Sequence, residues 1–527
     1  MTNKQSTLEK SMLRGTLVLT VTSFIVKILS AVYRVPFQNL VGDEGFYVYQ
    51  QVYPLYGIAM TLALTGLPVY LSKLIASSRT EADRQKVMTQ FLLFMGIGSL
   101  GLFLIVQFGA SLIAIKMGDT ELTPVIKTVS YVFLLVPILS AYRGFYQGQM
   151  EMKPTAVSQL IEQGVRVVII LSAGFLYLRL SLTVYQVGNL ATFGSVIGGL
   201  VALVILVAYG RQEKFTMNWS KAPFHFDWPF GRKLFVQGGA LCLFSAYLIL
   251  FQLIDSFTVL KALEESGFDS MAAKIAKGVY DRGQPLVQVG LVVAVSMTAT
   301  FLPVLTKHYL EKGQDVYRET VASYLKISRV ISSAAAVGLA MVLPFINQAL
   351  FSDNAGQVTL EWFVLAIFFV SMIQSYQTIY QSQNKIRCQF ISAMIGLGVK
   401  IIATPILTFH FGTIGSSIST LLGLGVCLGL FQLNFRRDSK KDSFRGHSLG
   451  KLLVSLLVMF CVLIGYRLLI NQVIGTSRSL ALLATFGGVL IGFISYLMCL
   501  LRFKVFTQEE WLLLPFGDKV VKRLKKR

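Results

Sequence analysis

Charge is scarce in this chain, and acids are scarcer than bases. Only 14% of its 527 residues are Asp, Glu, Lys or Arg, where an average soluble domain carries about 25%. That shortage excludes an ordinary soluble globular protein, which needs charge to cover its surface. Cysteines are few: Cys242, Cys388, Cys427, Cys461 and Cys499 are odd in number, scattered, and form no CxxC. This excludes a disulfide framework and a thiolate metal site. The four histidines, His225, His308, His410 and His447, are equally scattered, so no metal site is expected. There is no P-loop and no GxSxG, which argues against ATP-driven transport within the chain and against serine-type chemistry. The adjacent acids Asp43 and Glu44 lack the spacing and the long external domain that a membrane glycosyltransferase would bring. The chain is read as a non-enzyme, with no cofactor.

What is present is apolar sequence. Hydrophobic residues make up 54% of the chain, and mean hydropathy is +0.64. Apolar runs of about 20 residues, each long enough to cross the hydrocarbon, recur from end to end. They predict an all-α polytopic membrane protein of about fourteen spans. The first run, near Leu13, has no small-residue cleavage site and is read as a retained helix. Lys and Arg number 48 against 26 Asp and Glu, a net charge of +22. The cations crowd into alternate short loops and into the tail Lys519–Arg527. That placement predicts cytoplasmic N- and C-termini in a cell membrane and contact with anionic lipids; nucleic acid is not an expected partner.

The sequence repeats. Ala141-Tyr-Arg-Gly-Phe-Tyr-Gln-Gly-Gln149 matches Ser375-Tyr-Gln-Thr-Ile-Tyr-Gln-Ser-Gln383, and the register carries Arg166 onto Lys400. The expected organisation is therefore two parallel six-helix lobes, residues 1–225 and 226–440. Two extra helices and the basic tail follow at 441–527. In parallel repeats the substrate site lies between the lobes.

A cation at the bilayer centre costs about 2.5–3.5 kcal/mol or more, so each intramembrane charge needs a reason. The stretch Phe24–Gln50 carries Lys27 and Arg34, two turns apart and so on one helix face. They either snorkel to the headgroups or line a polar cavity that receives an anion. This helix is expected to stop at Pro36. Glu162 and Arg166 have i,i+4 spacing and can neutralise each other. Asp255 has no cation near it in sequence, and Lys27 or Arg282 is its expected partner. Asp281 and Arg282 are either solvated at a helix mouth or part of the cavity. Lys400 is the repeat counterpart of Arg166. Tyr47, Tyr49, Tyr53 and Tyr56 are read as an interfacial aromatic belt, with a sugar-stacking surface as the alternative. Cations outnumber acids within the spans, which suits an anionic substrate.

The motifs Tyr33-Arg-Val-Pro36, Asn39-Leu-Val-Gly-Asp-Glu-Gly45, Gly66-Leu-Pro68 and Tyr280-Asp-Arg282 resemble the SpoVB/YtgP branch of polysaccharide exporters. That branch belongs to the MOP superfamily, with the MurJ-type lipid II flippases. The resemblance implies translocation of lipid II by alternating access through a cationic central cavity. Another polyprenyl-pyrophosphate glycan, a capsule or teichoic acid precursor, is the alternative, and a MATE-type drug exporter a more distant one. It places Lys27 and Arg282 at cavity-lining positions and Glu44 near an acidic position after the first span. Cell-wall synthesis and division proteins are implied partners. The chain departs from the MurJ pattern after Pro54, where Tyr56, Gly57 and Ala59 stand without a cation; Arg34 or Arg166 would then compensate.

Overall fold

The computed structural model describes residues 19, 21–212, 226–311, 313–438, 446–474, 477–513 and 518. The basic tail Lys519–Arg527 and most of the cationic loop after residue 212 lie outside the described residues. All regular structure among the described residues is helical. Ten helices are long and apolar enough to cross a membrane, or eleven if the bent pair Trp228–Ser245 and Tyr247–Glu265 counts as one span.

This count is lower than the fourteen expected, for two physical reasons. First, two of the ten, Val21–Ser77 and Arg387–Arg436, would each exceed about 70 Å if straight, far more than a bilayer core of about 30 Å. Each contains one non-helical glycine, Gly42 (φ 71°, ψ −178°) and Gly412 (φ 59°, ψ −144°), where the chain breaks. Second, the expected eighth span is divided into Ser270–Asp281, Gly283–Gly290 and Val292–Glu311.

Pro36 does not end the first helix, contrary to expectation. The backbone stays helical through Tyr33 (φ −62°, ψ −24°), with Tyr33 N donating to Leu29 O at 3.2 Å and Phe37 N to Tyr33 O at 3.1 Å. The helix therefore runs past Pro36 and forgoes the one i→i−4 bond that the missing N–H would have made. The real break is Gly42, whose left-handed φ favours a residue without a Cβ. A second proline, Pro68, follows a π-helical turn at Leu62–Gly66, a widening that accommodates a ring with no N–H to give.

The repeat is reproduced in backbone geometry. Thr123–Gly148 and Ala366–Ser382 are the helices that carry the matching motifs, and each ends on a left-handed residue at the equivalent position, Met150 (φ 63°) and Asn384 (φ 57°). The closing bonds are the same. Glu151 N donates to Tyr146 O at 2.9 Å, and Lys385 N to Tyr380 O at 2.9 Å. Both ends are thus Schellman caps.

Packing divides the chain into two compact units. One comprises Met1–Pro285 and Lys400–Ser416, the other Leu286–Val399 and Ser417–Arg527. In the first, Ser270–Asp281 packs against Arg34–Thr61. In the second, the 38-residue helix Gln314–Phe351 packs against Ala366–Ser382, Gly446–Ile474 and Arg478–Arg502.

Candidate functional site

Tyr49, Tyr53 and Tyr56 stand at i, i+4 and i+7 on Arg34–Thr61, so they share one helix face. They are not a lipid-facing belt. Tyr49 and Tyr56 are buried, and together with Tyr33 the three enclose two guanidinium groups. Arg166, from Lys153–Arg179, donates through Nη2 to Tyr33 Oη (2.9 Å) and Tyr49 Oη (2.7 Å). Its Nη1 donates to Tyr56 Oη (3.1 Å) and Gln163 Oε1 (3.3 Å). Its guanidinium carbon lies 4.0 Å from the Tyr56 ring centroid and 5.6 Å from that of Tyr53. Arg34 approaches Tyr53 as well, at 4.2 Å. Arg34 is 0% exposed, and none of its three nitrogens has a hydrogen-bond partner among the described residues.

The remaining buried charges of this unit are paired. Arg143 Nη2 bonds Glu162 Oε2 at 2.5 Å, while Arg143 Nη1 donates to the carbonyl of Ala63 at 3.3 Å. Arg282 holds Asp43 bidentately, Nε to Oδ1 at 2.9 Å and Nη2 to Oδ2 at 2.6 Å. Gln38 Nε2 adds a third donor to Asp43 at 2.9 Å. Lys277 Nζ spans both oxygens of Asp281 at 2.6 and 2.7 Å. Lys400 Nζ is 2.7 Å from Asp255 Oδ1, whose other oxygen accepts from Tyr280 Oη at 2.9 Å. Asp119 accepts from Tyr185 Oη at 2.7 Å and Tyr47 Oη at 3.2 Å, with Lys274 Nζ at 3.3 Å.

Local backbone explains one of these pairings. Gly278 lies one turn before Arg282, and a Cβ there would come within 3.3 Å of Asp43 Cα and overlap the Asp43 carbonyl. The missing side chain lets Ser270–Asp281 pack directly on the backbone of Asp43, and that close approach puts the Arg282 fork on its carboxylate.

Two expected pairings are therefore corrected. Glu162 is neutralised by Arg143 on another helix and not by Arg166, whose two Nη groups are turned to phenols and to Gln163. The partner of Asp255 is Lys400, and neither Lys27 nor Arg282. Lys27 and Arg34 do not share surroundings either: Lys27 is exposed while Arg34 is buried. Lys27 and half-buried Glu44 make no ion pair with any described residue. Among the expected site residues, the fold brings Arg34 and Arg166 together and places Glu162, Asp255, Asp281, Arg282 and Lys400 in ion pairs. Arg143, Asp119, Lys274 and Lys277 were not expected as site residues. Arg143 was detectable as one more cation inside a span. Lys274 and Lys277 lay before the expected start of the eighth span.

The net effect is electrostatic. Among the described residues, each of the five acids Asp43, Asp119, Glu162, Asp255 and Asp281 is matched by one cation. Arg34 and Arg166 are in surplus, held by ring faces and hydroxyls without a carboxylate. A desolvated cation–π contact contributes about 2 kcal/mol, and a hydrogen bond to a charged group about 1.5–3. These terms hold the cations in place but leave their charge uncancelled, which is what an anion-binding element requires.

The family model described as polysaccharide biosynthesis protein matches residues 12–309. The membrane protein YabM of Bacillus subtilis (strain 168) is 35% identical over 525 residues, covering 98% of this chain and 97% of that protein. The lipid II flippase MurJ of the same organism is 27% identical over 446 residues, covering 79% and 81%. A solved structure of the lipid II flippase MurJ in an inward closed conformation superposes with a TM-score of 0.66 over 92% of this chain and 98% of that one, at 15% identity. At that identity the likeness speaks for the fold alone.

Proposed function

The chain belongs to the polysaccharide biosynthesis protein family, and on that premise we propose that it is a lipid-linked glycan flippase whose cargo is lipid II. The observation that carries the proposal is the Arg34–Arg166 pair, buried and without a carboxylate. A pyrophosphate carries at least two negative charges, and moving it bare through hydrocarbon costs several kcal/mol or more per charge. A desolvated pair of guanidinium groups offsets that cost, while the polyprenyl tail stays in lipid. Translocation then proceeds by alternating access of two lobes, 1–225 and 226–440, with both chain termini in the cytoplasm. Arg282 is held by Asp43, so it joins the cargo only in the state where that pair opens.

A cation-coupled drug exporter fits less well. It needs buried acids free to take a cation, and the five named above already have partners.

Depletion of the protein tests the cargo. Lipid II is expected to accumulate on the cytoplasmic face of the membrane. Accumulation of a capsule or teichoic acid precursor with normal lipid II would replace lipid II by that glycan. The site is tested by Arg34→Met with Arg166→Met, which is expected to abolish translocation while the protein still inserts. Full activity of the double variant would refute the cationic mechanism.

A further inference from the structure

The second unit contains a polar cleft that translocation as proposed does not use. It lies where the C-terminal end of Gln314–Phe351, the start of Gln357–Val364 and the end of Gly446–Ile474 meet. Its volume is about 210 Å³, smaller than the ~300–1,000 Å³ that encloses a drug-sized ligand. Four carboxamides, Gln348, Asn354, Gln357 and Asn471, line it together with Pro344 and Phe345, and among the described residues no charged side chain does so.

The walls are tied together. Arg478 donates to the carbonyls of Ala349 (2.8 Å) and Leu350 (2.9 Å), joining the start of one helix to the end of another. Arg467 pairs with Glu361 at 3.0 Å. The connecting loop turns through two left-handed residues, Ser352 (φ 67°) and Gly356 (φ 62°). The carboxamides retain hydrogen-bonding capacity. Asn354 Nδ2 donates to Gln348 Oε1 at 3.1 Å, which leaves the Gln348 amide nitrogen as a donor. Gln357 Nε2 donates to Glu361 Oε1 at 3.0 Å, which leaves its oxygen as an acceptor. No hydrogen bond joins Asn471 to a described residue, so its amide offers both kinds of group.

We propose that this cleft is a binding site for a single neutral sugar ring of the N-acetylhexosamine class. The four carboxamides offer both donors and acceptors, as ring hydroxyls and an acetamido group require. A phosphate would need cations, which the lining lacks. The volume suits one ring. The site stands apart from the flippase reading, because free sugar suffices to test it.

The test is saturation-transfer NMR on the full-length protein in detergent, with N-acetylglucosamine as the probe. Saturation of the acetyl methyl and ring protons is expected, and an excess of inorganic pyrophosphate should leave it unchanged. Gln348→Leu removes about one hydrogen bond's worth of binding, roughly fivefold in affinity. Asn471→Trp, at an exposed position, fills the cleft and should abolish the signal. An unaltered melting temperature in both variants shows that they fold. Absence of saturation in the wild-type protein would overturn the proposal. So would equal saturation in both folded variants, or displacement by pyrophosphate.

Discussion

Arg166 and Lys400 occupy the same register in the two copies of the repeat, and both are buried, yet they hold their charge in opposite ways. Lys400 faces a carboxylate, Asp255. Arg166 faces three phenol oxygens and an amide. A carboxylate cancels the charge of its partner, whereas phenols solvate a cation and leave it positive. The same inherited position thus serves as an internal neutral pair in one copy and as part of a positive site in the other. A second repeat pair shows the same asymmetry. Arg143 of the first copy, bound to Glu162, corresponds to Gln377, which is uncharged.

The comparison can be broken by substitution, beginning with the largest effect. Asp255→Asn leaves the Lys400 ammonium buried without a countercharge and is expected to cost about 3–5 kcal/mol. Thermal unfolding in detergent reads this loss, and Asp255→Asn with Lys400→Met should recover most of it. If the single variant melts like wild type, Lys400 is not held by its carboxylate and the contrast with Arg166 fails. Arg143→Gln imposes the second copy's residue on the first. It keeps one donor for Glu162 but removes the cation, and about 2–3 kcal/mol should be lost in the same measurement. Tyr49→Phe deletes the 2.7 Å bond to Arg166 and the 2.7 Å contact with Tyr33, for about 1.5–2 kcal/mol. Arg467→Gln breaks a pair about one-fifth exposed on each side and should cost about 0.2–1 kcal/mol.

The smallest stability effect is the most discriminating. Arg34→Met removes no hydrogen bond to a described residue and relieves a desolvated charge, so stability should stay within about 1 kcal/mol of wild type or rise. A structural arginine would instead give a clear loss of melting temperature. Retained stability with lost translocation assigns Arg34 to the cargo.

Much of this was legible in the chain before any fold was known. The helical membrane architecture followed from apolar runs, and the repeat from one nine-residue motif whose two copies end in the same cap. The intramembrane cations were legible because hydrocarbon makes each of them costly. Their partners were not. Spacing along one helix suggested Glu162 for Arg166, but local spacing cannot see Arg143 arriving from the neighbouring helix. The tyrosines looked interfacial because their amphipathic chemistry suits a membrane surface as well as it suits a buried guanidinium. Pro36 looked like a helix end because proline removes a helical hydrogen bond, but here the helix forgoes that bond and runs on to Gly42.

The amino-acid sequence by itself determined that this protein lies in a membrane, that it is built of helices in two related copies, and that its spans carry more cations than acids. Those are properties of composition and order along the chain. Tertiary structure alone decided which cations stay positive. That depends on whether the group that meets the cation is a carboxylate or a phenol, and the phenols at Arg166 and the carboxylate at Lys400 come from other helices, brought there by packing.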